Sequence, residues 1–192
     1  MFYFLHRLVK WTFIVLICAG LYWIWLQRQA LEPLYVWHDV YENGGIKNES
    51  TLHRVKGRAV AVNDGHTFQM IHQDGRSLSV RLAGLQLPEQ PLSKEDIQLE
   101  KQRRTFLRDS VLQREVEVQV TYAVPGSMLG IVHINGTNLN TLFLTNGLAR
   151  FNPDYIKALP RDEQYRFFAA NRVREKSLEQ NTALASLAST NQ

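Results

Sequence analysis

Residues 57–89 read GRAVAVNDGHTFQMIHQDGRSLSVRLAGLQLPE, and this stretch decides the fold. Apolar and polar residues alternate from Arg54 onward, and two Asp-Gly pairs, at 64–65 and 74–75, interrupt the alternation. Alternation with a period of two indicates half-buried strands, and Asp-Gly is a common hairpin turn. The stretch therefore predicts a three-stranded meander. Its first strand begins at Arg54, and its second and third strands cover 67–72 and 77–85.

The downstream sequence predicts helices and two more strands. Ser93 is a predicted helix N-cap, and Asp96, three residues later, completes a capping box. Strict alternation over 115–122 and a second run over 129–134, separated by Pro125-Gly126, predict the fourth and fifth strands. Further helices are expected over 139–146 and 161–178. The protein is thus expected to be α+β, with five strands and about three helices.

The N-terminal segment predicts a transmembrane helix over 8–27. No charged residue occurs from 11 to 26, and Leu8 and Val9 extend the apolar run if the Lys10 side chain reaches toward the membrane surface. A cleaved signal peptide is the alternative, but the small residues Ala19 and Gly20 lie in the middle of the run, where cleavage is not expected.

Basic residues suggest an orientation for this predicted span. Arg7 and Lys10 precede the uncharged run over 11–26 and Arg28 follows it closely, so the positive-inside rule places the N-terminus on the cytosolic or matrix side. The folded domain is then expected on the opposite side, in the periplasm of a bacterium or at the mitochondrial inner membrane. The predicted segments are a juxtamembrane linker over 28–52, a folded domain over 53–178 and a disordered tail over 179–192.

The charge of the chain argues against strong nucleic-acid binding. The sequence has 22 basic and 18 acidic residues. Three of the bases lie in the N-terminal segment, which leaves 19 bases against 18 acids. A domain that follows a polyanion needs a larger positive surplus, because phosphate neutralisation dominates its affinity.

Three segments resemble the staphylococcal nuclease (SNase, thermonuclease) family, in the family's order. Asp64-Gly65-His66-Thr67 is similar to the family's Asp-Gly-Asp-Thr turn, and 81–89 is similar to its Arg-Leu-x-x-(Val/Ile/Leu)-Asp-Thr-Pro-Glu strand. The stretch 129–149 resembles the family's glycine-bounded strand, following turn and Gly-Leu-Ala helix end. The resemblance implies a five-stranded OB-fold β-barrel. The layout of one span and one such domain resembles, more loosely, an animal family of mitochondrial inner-membrane organising proteins.

The resemblance also implies which positions would carry catalysis. The family's first catalytic arginine corresponds to Arg81, and its general-base glutamate corresponds to Glu89. Asp64 and Thr67 would lie beside the substrate together with Arg81. The family's second arginine corresponds to Ser127, and no Arg or Lys occurs between Arg114 and Arg150 to replace it.

The family's two calcium-binding aspartates correspond to His66 and Gln86. Calcium prefers anionic oxygen ligands, so an imidazole and a neutral amide remove most of the attraction. We therefore expect no metal or other cofactor at these positions, and we expect catalysis to be impaired.

Each of these residues also has a simpler interpretation. Asp64-Gly65 would only form a tight turn, and Arg81 and Glu89 would form a structural ion pair. His66 would be a solvent-facing turn residue, which is favoured over a transition-metal site shared with His133 or His72. Basic and acidic residues alternate on the first helix of the domain and predict a solvated face: Lys101, Arg103, Arg104 and Arg108 with Glu95, Asp96, Glu100 and Asp109.

The sequence thus predicts a membrane-anchored SNase-like pseudoenzyme that serves as a binding or membrane-organising module. Its groove would hold a partner peptide, a nucleotide or a lipid headgroup, and its span would support self-association. The alternative is an active phosphodiesterase, in which Glu89 orients water, Arg81 stabilises charge and His66, Gln86 and Asp64 hold a metal such as Ca²⁺ or Zn²⁺. A third interpretation is nucleic-acid binding without cleavage.

Overall fold

The computed structural model describes residues 2–26, 31–44, 52–86 and 93–190. The chain divides into two compact units, Met1–His38 and Asp39–Gln192. The first unit contains helix α1 (Phe2–Leu26) and the beginning of helix α2 (Glu32–Asn43). Helix α2 lies in the segment that was predicted to be a linker.

The predicted transmembrane helix is wrong. Within the described residues, no helix combines the length and the apolar character that crossing a bilayer requires. The uncharged run over 11–26 is sixteen residues long. At about 1.5 Å per residue it measures about 24 Å, against a hydrocarbon core of about 30 Å. The predicted localisation depended on this span. The prediction of a single-pass membrane protein, with its folded domain on the opposite side from the N-terminus, is therefore wrong as well.

In the described ranges, the second unit contains eight strands and four complete helices. In chain order they are β1 (His53–Val62), β2 (Thr67–His72), β3 (Ser77–Leu82), β4 (Leu85–Gln86), α3 (Lys94–Val111), β5 (Glu115–Val124), β6 (Ser127–Ile134), β7 (Thr137–Asn138), α4 (Leu139–Thr145), β8 (Arg150–Phe151), α5 (Pro153–Ile156) and α6 (Arg161–Thr190). Helix α6 continues beyond residue 178, where the sequence pattern predicted its end.

Five of these strands close into a β-barrel. The meander β1–β2–β3 is antiparallel, β1 also pairs with β5, and β5 pairs with β6. A parallel pairing between β3 and β6 closes the circuit. This closed five-stranded barrel with its α+β composition is consistent with an OB-fold, and it confirms that part of the expectation.

The interior of the barrel is filled by the inward-facing residues of the five strands. Their side chains are buried, with the largest contributed by β2, β5 and β6: Phe68, Met70, Val118 and Val132. On β1, Gly57 and Ala59 are buried and Lys56 and Arg58 are exposed, as the alternation that begins at Arg54 predicts. The register with β2 then shifts between Ala59 and Ala61, so Ala61 faces outward. A β-bulge of this kind changes which alternate positions point into the barrel.

Helices α3 and α4 begin as their sequences predict. Ser93 caps α3, its Oγ accepts a hydrogen bond from the Asp96 N–H at 3.1 Å, and the Asp96 carboxylate accepts from the Ser93 N–H at 3.1 Å. The predicted capping box is therefore confirmed. Asn138 caps α4 in a similar way, through a hydrogen bond from the Thr141 N–H.

Candidate functional site

The β1–β2 connection is a tight turn that an aspartate stabilises. Asp64 Oδ1 accepts a hydrogen bond from the His66 N–H at 2.8 Å, and the Asn63 N–H donates to the Thr67 carbonyl at 2.9 Å. An aspartate that bonds to the backbone two residues later is a common way to stabilise a turn. The turn therefore fixes the direction of the Asp64 and His66 side chains at one edge of the barrel.

Helix α3 packs directly against this turn because residue 65 is glycine. The Gly65 N–H donates a 2.6 Å hydrogen bond to Glu100 Oε1. A Cβ atom at position 65 would lie 2.6 Å from Arg103 Cβ and 2.7 Å from Glu100 Oε1, which is too close for either neighbour. Glycine thus allows a carboxylate from α3 to reach the turn.

Arg103 is buried at the same place, with only 2% of its surface exposed. Its Nε donates to the Leu148 carbonyl, and its Nη1 lies 3.5 Å from Glu100 Oε2. A buried guanidinium requires such partners, since an unpaired charge in the interior is costly. The predicted solvated face is therefore wrong for Arg103 and Glu100, which join α3 to the turn and to the chain before β8.

Asp64, His66 and Glu100 form a cluster of groups that could bind a metal. One ligand atom from each residue lies within 4.8 Å of the other two, and His66 Nδ1 is 3.1 Å from Asp64 Oδ1. The His66 side chain is only 20% exposed, so the predicted solvent-facing histidine is wrong. Within the described residues, this is the one group of three such side chains.

The imidazole of His66 is held in its neutral form. Burial is the main cause that lowers the pKa of His66, and the nearby Arg81 and Arg103 guanidinium groups lower it further. The carboxylates of Asp64 and Glu100 oppose this change without reversing it. Because the unperturbed pKa is about 6.5, the ring is neutral at pH 7 and has a lone pair available for a metal ion.

Arg81 lies on the outer face of the barrel, where the closing pair of strands meets. It pairs with Thr67 on β2 and with Leu129 on β6. On the same outer face, Ser79 pairs with Ser127. Residues two apart on a strand share a face, so Ser127 and Arg81 both face outward across this parallel pair. The position that corresponds to the family's second arginine is therefore on the same side of the barrel as Arg81, but it holds a hydroxyl group.

A cavity of about 320 Å³ opens beside Arg81. Among the described residues that line it, Arg81 is the sole charged side chain, and the others are Leu82, Gly84, Leu85, Tyr122, Val124, Ser127, Met128, Leu129, Asn152 and Tyr155. The Tyr122 ring is 63% exposed and lies at the mouth. The Tyr155 hydroxyl is hydrogen-bonded to Thr121 Oγ1, and burial raises the pKa of Tyr155. The cavity thus combines one cation with aromatic and apolar surface.

The structure brings some of the predicted site residues together and separates others. Asp64 and Thr67 lie at the turn, and Arg81 lies at the adjacent cavity. Gln86 is exposed on β4, where it pairs with Arg150 of β8. Glu89 lies outside the described residues.

The alternative metal partners for His66 are elsewhere. His72 Nδ1 lies 2.9 Å from Asp74 Oδ1 at the β2–β3 turn, and neither His72 nor His133 belongs to the Asp64–His66–Glu100 cluster. Sequence reasoning missed two residues of the site, Glu100 and Tyr155. The only local signal for Glu100 is its spacing of three residues from Arg103, and that spacing is common on solvated helices.

No protein-family model matches the chain, and no curated protein matches it significantly.

A second cavity, of about 760 Å³, opens near the ends of β1, β2 and β5. Four basic and four acidic side chains line it, so their formal charges balance: Arg54, Lys56, Arg58, Arg166, Glu115, Glu117, Asp162 and Glu163. Several are already paired, as Arg54 and Lys56 are with Glu117 and Arg166 is with Glu163. This balance gives the larger cavity no preference for an anion, in contrast to the cavity beside Arg81.

His133 at this second cavity predicts an acid-sensitive fold. It is 9% exposed, and burial is the main cause that lowers its pKa. The unfolded chain, with a histidine pKa of about 6.5, therefore takes up the proton at a higher pH than the folded chain does. Stability that is fully present above about pH 6.5 should be lost as the pH falls toward the lower folded pKa.

Urea unfolding followed by circular dichroism between pH 7.5 and 5 checks this prediction. His133→Gln should reduce the loss of stability on acidification, and the exposed His53→Gln should leave it unchanged. An identical pH dependence in the wild type and in His133→Gln would show that His133 does not cause the effect.

Proposed function

We propose that the barrel is an SNase-like domain that has become a binding module, and that it holds an anionic ligand at Arg81 without cleaving it. The closed five-stranded barrel supports the fold part of this proposal, and the turn, strand and helix-end sequences support the family part. The observation that carries the functional part is the lining of the cavity beside Arg81, in which a single cation stands among aromatic and apolar side chains.

One cation suits binding better than phosphodiester hydrolysis. Cleavage builds negative charge on a five-coordinate phosphorus, and enzymes stabilise that charge with several placed cations or with a metal ion. On the outer face of β6, Leu129 lies across from Arg81 and Ser127 lies across from Ser79, so neither position holds a basic residue. A single guanidinium still forms strong paired hydrogen bonds with a phosphate or carboxylate in its ground state.

The ligand best suited to this surface is a small phosphate-bearing molecule with a flat ring, such as a mononucleotide. Arg81 would bind the phosphate, and the exposed Tyr122 ring would stack on the base. A long nucleic acid is less suitable, because the basic and acidic residues outside the N-terminal segment nearly balance. This also favours a mononucleotide over the third interpretation, nucleic-acid binding.

Titration of the full chain with adenosine monophosphate tests the proposal. Arg81→Gln should weaken binding by about 10- to 100-fold, because a hydrogen bond to a charged group contributes about 1.5–3 kcal/mol. Isothermal titration calorimetry gives the affinity.

Arg76→Gln is the matched control for this titration. Arg76 is an exposed cation immediately before β3, the strand that carries Arg81. It forms an ion pair with Asp74 at 2.5 Å and does not line the cavity. The control should bind like the wild type. Equal losses in Arg76→Gln and Arg81→Gln would contradict a specific site at Arg81 and would indicate general charge attraction.

A metal-dependent phosphodiesterase is the second candidate function. The observation that favours it is the Asp64–His66–Glu100 cluster, which lies close enough to Arg81 for that guanidinium to lower the pKa of His66. In this case Arg81 would stabilise the charge of the reacting phosphate, and the resemblance would give Glu89 the role of orienting water. Cleavage assays separate the two candidates.

A further inference from the structure

The ligand atoms of Asp64, His66 and Glu100 are spaced as the ligands of a small metal ion would be before it binds. All three lie within 4.8 Å of one another, and His66 Nδ1 and Asp64 Oδ1 are 3.1 Å apart. Ligands about 2.0–2.2 Å from a tetrahedral zinc ion are about 3.4 Å from each other. Small side-chain rotations would therefore complete the coordination, and a fourth position would remain open.

His66 Nδ1 supplies an independent sign of a missing partner. The atom is shielded from solvent and makes no hydrogen bond within the described residues. Although Asp64 Oδ1 is only 3.1 Å away, the two atoms are not aligned as donor and acceptor. A buried polar atom without a partner is rare in folded proteins. A cation between the nitrogen and the carboxylates would satisfy all of these atoms at once.

We infer that Asp64, His66 and Glu100 bind one divalent transition-metal ion of the zinc class. This site is distinct from the anion binding proposed for Arg81. It also differs from the pair of family positions at His66 and Gln86, because Glu100 from α3 supplies the second carboxylate.

Hydrogen bonds outside the cluster hold its carboxylates in place. Asp64 Oδ1 accepts from the His66 N–H, and Glu100 Oε1 accepts from the Gly65 N–H. The buried Arg103 is anchored on the Leu148 carbonyl and supports Glu100 from behind. Metal sites commonly depend on such outer contacts, which orient the ligands before the ion arrives.

The types of ligand select the metal. An imidazole nitrogen with two carboxylates suits zinc and similar transition ions, whereas calcium takes six to eight oxygen ligands and magnesium prefers oxygen and water. The sequence-based expectation of no metal rested on the family positions His66 and Gln86. The carboxylates of Asp64 and Glu100 join His66 and bring the number of possible ligands to three.

Calorimetric titration of the chelator-treated full chain with zinc chloride tests the inference. The wild type should bind one zinc ion per chain and should bind calcium far more weakly. Glu100→Gln and Asp64→Asn should each weaken zinc binding by roughly 100-fold, since loss of even an outer contact costs about 10- to 100-fold. Both replacements keep the oxygen that accepts the turn hydrogen bond, and circular dichroism would confirm that the variants fold.

The β2–β3 turn offers a matched control. His72 and Asp74 repeat the pairing of a histidine with an aspartate, with Nδ1 and Oδ1 2.9 Å apart, but no third ligand joins them in the described part of the chain. His72→Gln and Arg81→Gln should both retain zinc binding, so failure of the anion site would leave this result unaffected. Absence of saturable zinc binding, or equal affinity in the wild type and in Glu100→Gln, would overturn the inference.

Discussion

Replacement of Asn140 by alanine is expected to lower the free energy of unfolding by about 3–5 kcal/mol. The residue is completely buried at the start of α4. Its Nδ2 donates to the Ala83 carbonyl at 2.8 Å and to the Gly130 carbonyl at 3.1 Å, and its Oδ1 accepts from the Val132 N–H at 2.9 Å. Alanine would leave these backbone groups without that partner inside the protein.

The effect should be large because Asn140 joins the two strands that close the barrel. Ala83 directly follows β3, and its own N–H donates to the Gly130 carbonyl of β6 at 2.9 Å. Asn140 reinforces this junction from α4, so one side chain holds β3, β6 and a helix together. Its loss weakens the β3–β6 pairing on which the closed barrel and the position of Arg81 depend.

Urea unfolding of the full chain measures this change, with Asn146→Ala as the control. Asn146 ends the same helix and donates through Nδ2 to the Leu142 carbonyl at 2.8 Å, but it is exposed. Its replacement should cost about 0.5 kcal/mol or less, as for most surface substitutions. If the two variants lost equal stability, the proposed role of Asn140 in closing the barrel would be wrong.

Local sequence signals predicted the parts of the fold that depend on neighbouring residues. The Asp-Gly pairs, the alternation in β5 and the Ser93–Asp96 capping box all produce the predicted elements. The bulge after Ala59 did not follow from the sequence, because it arises from pairing with β2 rather than from β1 alone. Apolar character over 11–26 predicted a span, but the run is too short for one.

In the candidate site too, local sequence motifs predicted some residues, and tertiary packing determines the others. The resemblance identified Arg81 and the turn at 64–67. It did not identify Glu100, because only the close packing of α3 on Gly65 brings that carboxylate to the turn. Charge alternation suggested a solvated helix, yet the burial of Arg103 depends on a carbonyl 45 residues later in the chain. Such contacts are set by tertiary packing.

On the proposal that the barrel is SNase-like, the SNase residues at three positions should give it measurable nuclease activity. The triple variant His66→Asp, Gln86→Asp and Ser127→Arg supplies the calcium ligands and the second cation that the resemblance implies. Because position 127 shares the outer face with Arg81, the new guanidinium would face the same cavity. One preorganised charge contact is commonly responsible for about 10²–10³ in rate, so the gain over the wild type should be at least about 100-fold.

A fluorescent single-stranded DNA substrate in calcium buffer would report this gain. Ser77→Arg is the charge-matched control for Ser127→Arg, because position 77 is exposed on β3 and does not line the cavity. When it is combined with His66→Asp and Gln86→Asp, Ser77→Arg should add no activity. Equal activity from arginine at 77 and at 127 would contradict the geometry assigned to the cavity.

The most direct test of the central claim is the same assay on the unaltered chain. We predict that single-stranded DNA remains intact with Ca²⁺, Mn²⁺ or Zn²⁺, because Arg81 is the one cation among the described residues that line its cavity. Metal-dependent cleavage that is abolished by Arg81→Gln and by Glu89→Gln would contradict the account and would establish the protein as an active phosphodiesterase.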